Sequence, residues 1–156
     1  MTDMLDILRD IADAVVKAVG LIPGPELGKD IEMGADGTPT SEVDKVAENT
    51  VLDYIVRNNV PLNVLSEEIG YVDNGFEDTL VLDPIDGTSN AIAGVPMYTV
   101  SMAVGKSRLS DVRYAYLRNV MTGESMWAEK GKGAYKDGRR MHVRKLDERD
   151  LFMMIY

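Results

Sequence analysis

The sequence predicts an α+β layered fold with helices packed on one face of a mainly antiparallel sheet. Two observations carry that prediction. Apolar residues recur at helical spacing in two segments before residue 58, and the pattern then changes to short extended runs broken by turn signals. The 156 residues are 45% hydrophobic and 28% charged, enough apolar surface for one core and no case for disorder. A chain of this length buries roughly two thirds of its unfolded surface.

Met4, Leu8, Ile11, Val15 and Val19 form one stripe, with Asp6, Arg9, Asp10, Asp13 and Lys17 mostly between them, and predict a first helix that Gly20 and Pro23 end. Residues 21–40 hold Pro23, Gly24, Pro25, Gly28, Gly34, Gly37 and Pro39, an irregular connection with a short strand near Ile31. Loops of that length inside a compact domain are mostly functional or disordered. Ser41-Glu42-Val43-Asp44 fits a capping box and opens a second helix, whose apolar face is Val43, Ala47, Val51, Tyr54 and Ile55. Asn58-Asn59 and Pro61 close it.

Residues 63–65 and 79–82 are short apolar strands separated by the turn signal Asp73-Asn74-Gly75. Residues 98–106, 113–118 and 124–128 predict three more, the last two joined at Met121-Thr122-Gly123. Gly131, Gly133 and Asp137-Gly138 punctuate a hairpin-rich end. An apolar run at 151–155 has little reason to be a domain's final element. The expected organisation is therefore one domain over residues 1–150, with 151–156 opening a second domain that is missing.

Acidic residues outnumber basic ones by 26 to 17, and the net charge of −9 repels nucleic-acid backbones at long range. No nucleic-acid partner is expected. The absence of cysteine excludes disulfides, thiolate metal sites and a cysteine nucleophile. The acidic start Met1-Thr2-Asp3-Met4-Leu5-Asp6 is unlike a signal peptide, and no apolar run reaches the ~18 residues of a membrane span. The expectation is a soluble cytoplasmic protein without a membrane partner.

The most informative segment runs Leu80-Val81-Leu82-Asp83-Pro84-Ile85-Asp86-Gly87-Thr88-Ser89-Asn90. An apolar strand delivers Asp83 to its carboxyl end, Pro84 holds Asp83 out of the α region, and Gly87 permits a tight reversal. Asp83 and Asp86 can aim across this turn at one point, where unpaired carboxylates repel and a divalent cation stabilises them. Hard oxygen donors suit Mg²⁺ or Mn²⁺, and a backbone carbonyl such as that of Ile85 can complete the shell. Upstream, Asn63-Val64-Leu65-Ser66-Glu67-Glu68 repeats the design, so Glu67 and Asp83 can share a metal if their strands are neighbours. Thr88-Ser89-Asn90 opens a short helix ended by Gly94 and Pro96, and the amides of Gly87 and Thr88 offer an anion site beside the cations. Metal carboxylates next to anion-binding amides are what phosphoryl transfer requires.

Asp83 to Asn90, preceded by Glu67-Glu68 and by Asp44 in a helix, resembles the inositol monophosphatase family of metal-dependent, lithium-sensitive phosphatases. Met33-Gly34-Ala35-Asp36-Gly37-Thr38-Pro39-Thr40 is similar to its archaeal branch, which combines inositol monophosphatase and fructose-1,6-bisphosphatase activities. The resemblance implies a layered sandwich of the sugar-phosphatase type and a phosphate monoester of inositol or a sugar as substrate. It implies that Glu67, Asp83 and the Ile85 carbonyl hold a first Mg²⁺ and that Asp83 and Asp86 share a second. Thr88, paired with Asp44, would orient or deprotonate the attacking water, and the Gly87 and Thr88 amides would bind the phosphate. Family members are longer, often dimeric, and carry a further aspartate in a Trp-Asp motif of a second domain. Here the single tryptophan, Trp127, precedes Ala128. The expectation is therefore a weakly active or inactive short form, with a homodimer through the first helix or the sheet edge open to it.

Two other readings stand beside this one. The exposed terminal run also fits a non-catalytic metal- or phosphate-binding module, or half of a two-chain assembly. A relative acting on 3′-phosphoadenosine nucleotides would differ only in substrate. His142, among Arg139, Arg140, Arg144 and Lys145, reads as part of a solvated basic hairpin rather than a ligand.

Overall fold

The computed structural model describes residues 3–35, 37 and 39–143. The expected strand at 151–155, the proposed boundary at residue 150, and Asp36, Thr38, Arg144 and Lys145 lie outside these residues.

Helix α1 spans Met4–Val19 and buries Leu5, Leu8, Ile11, Ala12, Val15 and Val19. Helix α2 spans Glu42–Arg57 and buries Val43, Ala47, Val51 and Ile55, together with two carboxylates, Asp44 and Glu48. The two helices pack against each other and on one face of a sheet. Between them, the short strand expected near Ile31 is present and has a partner that the sequence does not predict. A hairpin of β1 (Asp30–Met33) and β2 (Pro39–Ser41) forms a separate two-stranded sheet. All four residues of β1 are exposed, so no apolar alternation marks it.

The main sheet has eight strands: β3 (Asn63–Ser66), β4 (Gly70–Val72), β5 (Thr79–Asp86), β6 (Thr99–Gly105), β7 (Tyr114–Asn119), β8 (Ser125–Glu129), β9 (Gly133–Lys136) and β10 (Arg139–Arg140). Their order across the sheet is β10-β9-β8-β7-β6-β5-β3-β4. Every neighbouring pair is antiparallel except β3 and β5, which run parallel. The α+β architecture with a mainly antiparallel sheet is thus as the sequence predicts. Beneath the helices the sheet presents Val64, Leu80, Leu82, Val100, Met102, Val104 and Tyr116, all buried. Val81 and Leu65 alternate to the opposite face and are exposed.

Strand β5 departs from expectation. It does not stop at Asp83 but continues to Asp86 through a register shift, with Asp83 opposite Ser101 and Asp86 opposite Thr99. Three steps on β5 therefore match two on β6, a bulge. A proline has no N–H for the ladder, and a bulge is one of the few interior positions that tolerates it, so Pro84 bends the strand instead of ending it. The reversal comes at Gly87, where φ is 97°. The short helix α3, Thr88–Ala93, follows and is closed by Gly94.

Candidate functional site

The parallel register between β3 and β5 places Ser66 beside Leu82. The next residue on each strand is a carboxylate, so Glu67 and Asp83 emerge side by side at one edge of the sheet. Burial, and then the charges of Glu67, Asp86 and Asp44 in that order, push the Asp83 carboxyl up from 3.8 to about 7, against a lowering hydrogen bond from the Ile85 backbone. Four acidic residues from three separate segments of the chain thus share one electrostatic neighbourhood. Glu68 belongs to it too. Burial raises its carboxyl, with Asp44, Glu48 and Glu67 adding to the effect, while a hydrogen bond from the Thr40 hydroxyl opposes it.

Asp44 sits in the first turn of α2 and is 4% exposed. Its Oδ2 accepts from the Ser41 hydroxyl at 2.5 Å and the Ser41 backbone N–H at 3.4 Å, the return arm of the capping box. Its Oδ1 accepts from the Thr88 hydroxyl at 2.8 Å. The Ile85 carbonyl oxygen lies 3.0 Å from the same hydroxyl oxygen. One hydroxyl proton serves one acceptor well. If Asp44 takes it, as the shorter and charge-assisted contact favours, the Ile85 carbonyl keeps a lone pair for another partner.

The β1–β2 hairpin leans on this centre. The Ala35 N–H donates to the Glu68 carbonyl at 2.7 Å, and Lys45 pairs with Glu32 at 2.5 Å. The sequence reading brings together Asp44, Glu67, Asp83, Ile85, Asp86, Gly87 and Thr88, and all fall at this one edge. Ser41 holds Asp44 through the capping box that the sequence indicates, whereas the sequence assigns no part to Glu48, Thr40 or Glu68. Glu48 carried a signal: it stands four residues after Asp44, on the face that Val43, Ala47 and Val51 mark as buried.

The donors are carboxylate and carbonyl oxygens, the chemistry that suits a hard divalent cation. A carboxyl held near 7 by burial and by like charges is the mark of a site that a cation would relieve. Among the described residues no three acidic side chains already close into a cation cage. That does not conflict with their coupling, because mutual repulsion opposes drawing their oxygens together. Concavity alone points elsewhere. A cleft of about 670 Å³ opens at the other end of the same strands, beside Asn63, Thr79 and Gly105, and no residue of the acidic cluster lines it.

A sheet flanked by two helices, with acidic strand ends meeting a helix-borne carboxylate, is the architecture of the layered α+β phosphatases. A crystal structure of an inositol monophosphatase-fructose 1,6-bisphosphatase superposes with a TM-score of 0.80 at 30% identity, covering 94% of this chain and 57% of that one. Residues 4–155 match the inositol monophosphatase family, and the chain belongs to it. The fructose-1,6-bisphosphatase/inositol-1-monophosphatase of Archaeoglobus fulgidus is 39% identical over 155 residues, 99% of this chain and 60% of that protein. A bifunctional NADP phosphatase/NAD kinase of Methanococcus maripaludis is 34% identical over 151 residues, 85% of this chain and 26% of that protein. The chain spans about three fifths or less of the length of these relatives. Among the described residues no helix is long and apolar enough to cross a membrane.

Proposed function

We propose that these residues form the cation- and phosphate-binding part of a Mg²⁺-dependent phosphomonoesterase acting on inositol-1-phosphate or fructose-1,6-bisphosphate. The observation that carries this reading is the convergence of Glu67, Asp86 and Asp44 on Asp83, beside the hydrogen bond from Thr88 to Asp44. Glu67, Asp83 and the Ile85 carbonyl would hold one cation, and Asp83 and Asp86 a second; Mn²⁺ suits the same donors. Bound there, the metal neutralises phosphate charge and lowers the pKa of a water.

The protein's own groups do the rest. Because the Thr88 hydroxyl donates its hydrogen bond to Asp44, the Thr88 oxygen keeps its lone pairs free and accepts a hydrogen bond from the attacking water, which fixes the water's orientation. Asp44 is itself held by Ser41, so this relay is aligned before substrate arrives. The first amides after the reversal at Gly87, with that of Gly87, face no helical carbonyl and are available to phosphate oxygens.

Isothermal titration with Mg²⁺ or Mn²⁺ tests the reading. Wild-type protein gives binding heat, and the paired Asp83→Asn, Asp86→Asn variant loses it. Unchanged heat in that variant refutes the assignment. The name of the Methanococcus maripaludis relative makes NADP the substrate to assay beside the inositol and fructose esters.

A further inference from the structure

The helix that carries Asp44 carries a second carboxylate whose purpose the proposed chemistry leaves open. Glu48 is fully buried. Its Oε1 accepts from the Ser66 hydroxyl at 2.6 Å and from the Ile69 backbone N–H at 2.9 Å. Its Oε2 has no hydrogen-bond partner among the described residues, and the Lys45 ammonium stands 3.8 Å away. Burying a carboxylate with one oxygen unsatisfied is costly. Glu48 also adds its charge to an already acidic neighbourhood, since it helps to raise Glu68. Core packing alone is better met by a leucine.

What the cost secures is visible in the two donors. Ser66 is the last residue of β3, Ile69 is the last residue of the turn before β4, and the two residues between them are Glu67 and Glu68. A single oxygen therefore staples both ends of the segment that presents Glu67 to Asp83. Charge-assisted hydrogen bonds are the strong ones, and this pair restrains a backbone that like-charge repulsion would otherwise swing outward. Asp44, one helical turn earlier on α2, holds Thr88 in the same manner.

We propose that Glu48 is a positioning residue, which acts through Ser66 and Ile69 to fix where Glu67 leaves the sheet and so tunes cation affinity. The proposal rests on the cation-site reading above and goes beyond it by assigning a residue that contacts neither cation nor substrate. Outer-shell partners of metal ligands are worth about 10- to 100-fold in affinity.

The test compares wild type, Glu48→Gln, Glu48→Leu and Ser66→Ala by Mn²⁺ titration, with amide hydrogen exchange at Ile69 followed in metal-free protein. Glu48→Gln keeps an acceptor for both donors, whereas Glu48→Leu keeps volume and loses the staple. The expected result is an Mn²⁺ Kd at least about tenfold higher in Glu48→Leu, near wild type in Glu48→Gln and intermediate in Ser66→Ala, with faster Ile69 exchange only in Glu48→Leu. Folded Glu48→Leu with wild-type Mn²⁺ affinity overturns the proposal. So does a Glu48→Gln as weak as Glu48→Leu, because the loss then follows charge and not the staple. If Glu48→Leu does not fold, wild-type affinity in Ser66→Ala overturns it. Absence of Mn²⁺ binding by the wild type sinks the functional reading and this inference together, whereas binding by wild type and variants alike sinks only the inference.

Discussion

Proton competition at Asp83 should set how tightly the site holds a cation. Burial and three neighbouring carboxylates raise this group to about 7, and a metal ligand must be deprotonated. For one competing proton the apparent affinity falls by the factor 1 + 10^(7 − pH), so Mn²⁺ binding weakens about tenfold from pH 8 to pH 6, equal to about 1.4 kcal/mol. At pH 7 the carboxyl is half protonated, and about half a proton leaves for each cation bound. Isothermal titration in two buffers of different ionisation heat reads both numbers, and Asp83→Asn removes both. An affinity that is flat from about pH 6 to pH 8, with no proton release, refutes the electrostatic account of the site.

The same shift acts on stability without metal, with the opposite preference for pH. The folded value lies above the unfolded 3.8, so the folded protein binds more protons between 3.8 and about 7. The contribution is fully present below 3.8 and is lost as pH rises through about 7. The whole shift corresponds to about 4 kcal/mol, and screening at this half-exposed group leaves roughly half. Cation-free protein should therefore gain resistance to denaturant from pH 8 to pH 5, and Asp83→Asn should flatten that dependence.

Two substitutions probe the reversal after β5. At Gly87 a methyl group would meet the Met97 carbonyl oxygen at 2.8 Å, on backbone whose φ is 97°, so Gly87→Ala should destabilise by about 1–3 kcal/mol in urea and weaken inorganic phosphate binding. Thr88→Val keeps the shape but removes the proton that Asp44 accepts; phosphatase activity should fall at least about a hundredfold with cation affinity little changed, and Thr88→Ser should restore most of it.

The sequence showed the cluster because each member sits beside a strong local signal. Glu67 and Asp83 end apolar strands, Asp44 completes a capping box, and Gly87 marks a reversal. Periodicity also located both helices, since each has a wide buried stripe. It failed where the local signal was short or had a second meaning. Residues 39–41 and 70–72 are too few for alternation to register, whereas the short strand expected near Ile31 is present as β1. The sequence predicts a strand that ends at Asp83, because only pairing with β6 reveals that a bulge accommodates Pro84 and lets β5 run on to Asp86. Glu48 draws no expectation, because its partners, Ser66 and Ile69, lie 18 and 21 residues away.

The parallel pairing of β3 with β5 is the feature on which the cluster depends. In an antiparallel pair the carboxyl ends of two strands lie at opposite edges of the sheet. Reversing the four residues Asn63–Ser66 against β5 would carry Glu67 past the Thr79 end to a position opposite Asp78, five residues or about 17 Å along the strand from Asp83 at 3.3 Å per residue. A direct hairpin between the strands would impose that reversal. The chain avoids it by sending β4 back along the outer edge of β3 and returning through residues 73–78 before β5 begins. The Asn63 side chain fixes this return, accepting at Oδ1 from the Asn74 and Phe76 backbone N–H groups and donating to the Phe76 carbonyl. An asparagine at the far end of β3 thus helps decide which edge of the sheet receives Glu67, and the acidic cluster is held together by backbone pairing against the repulsion of its own charges.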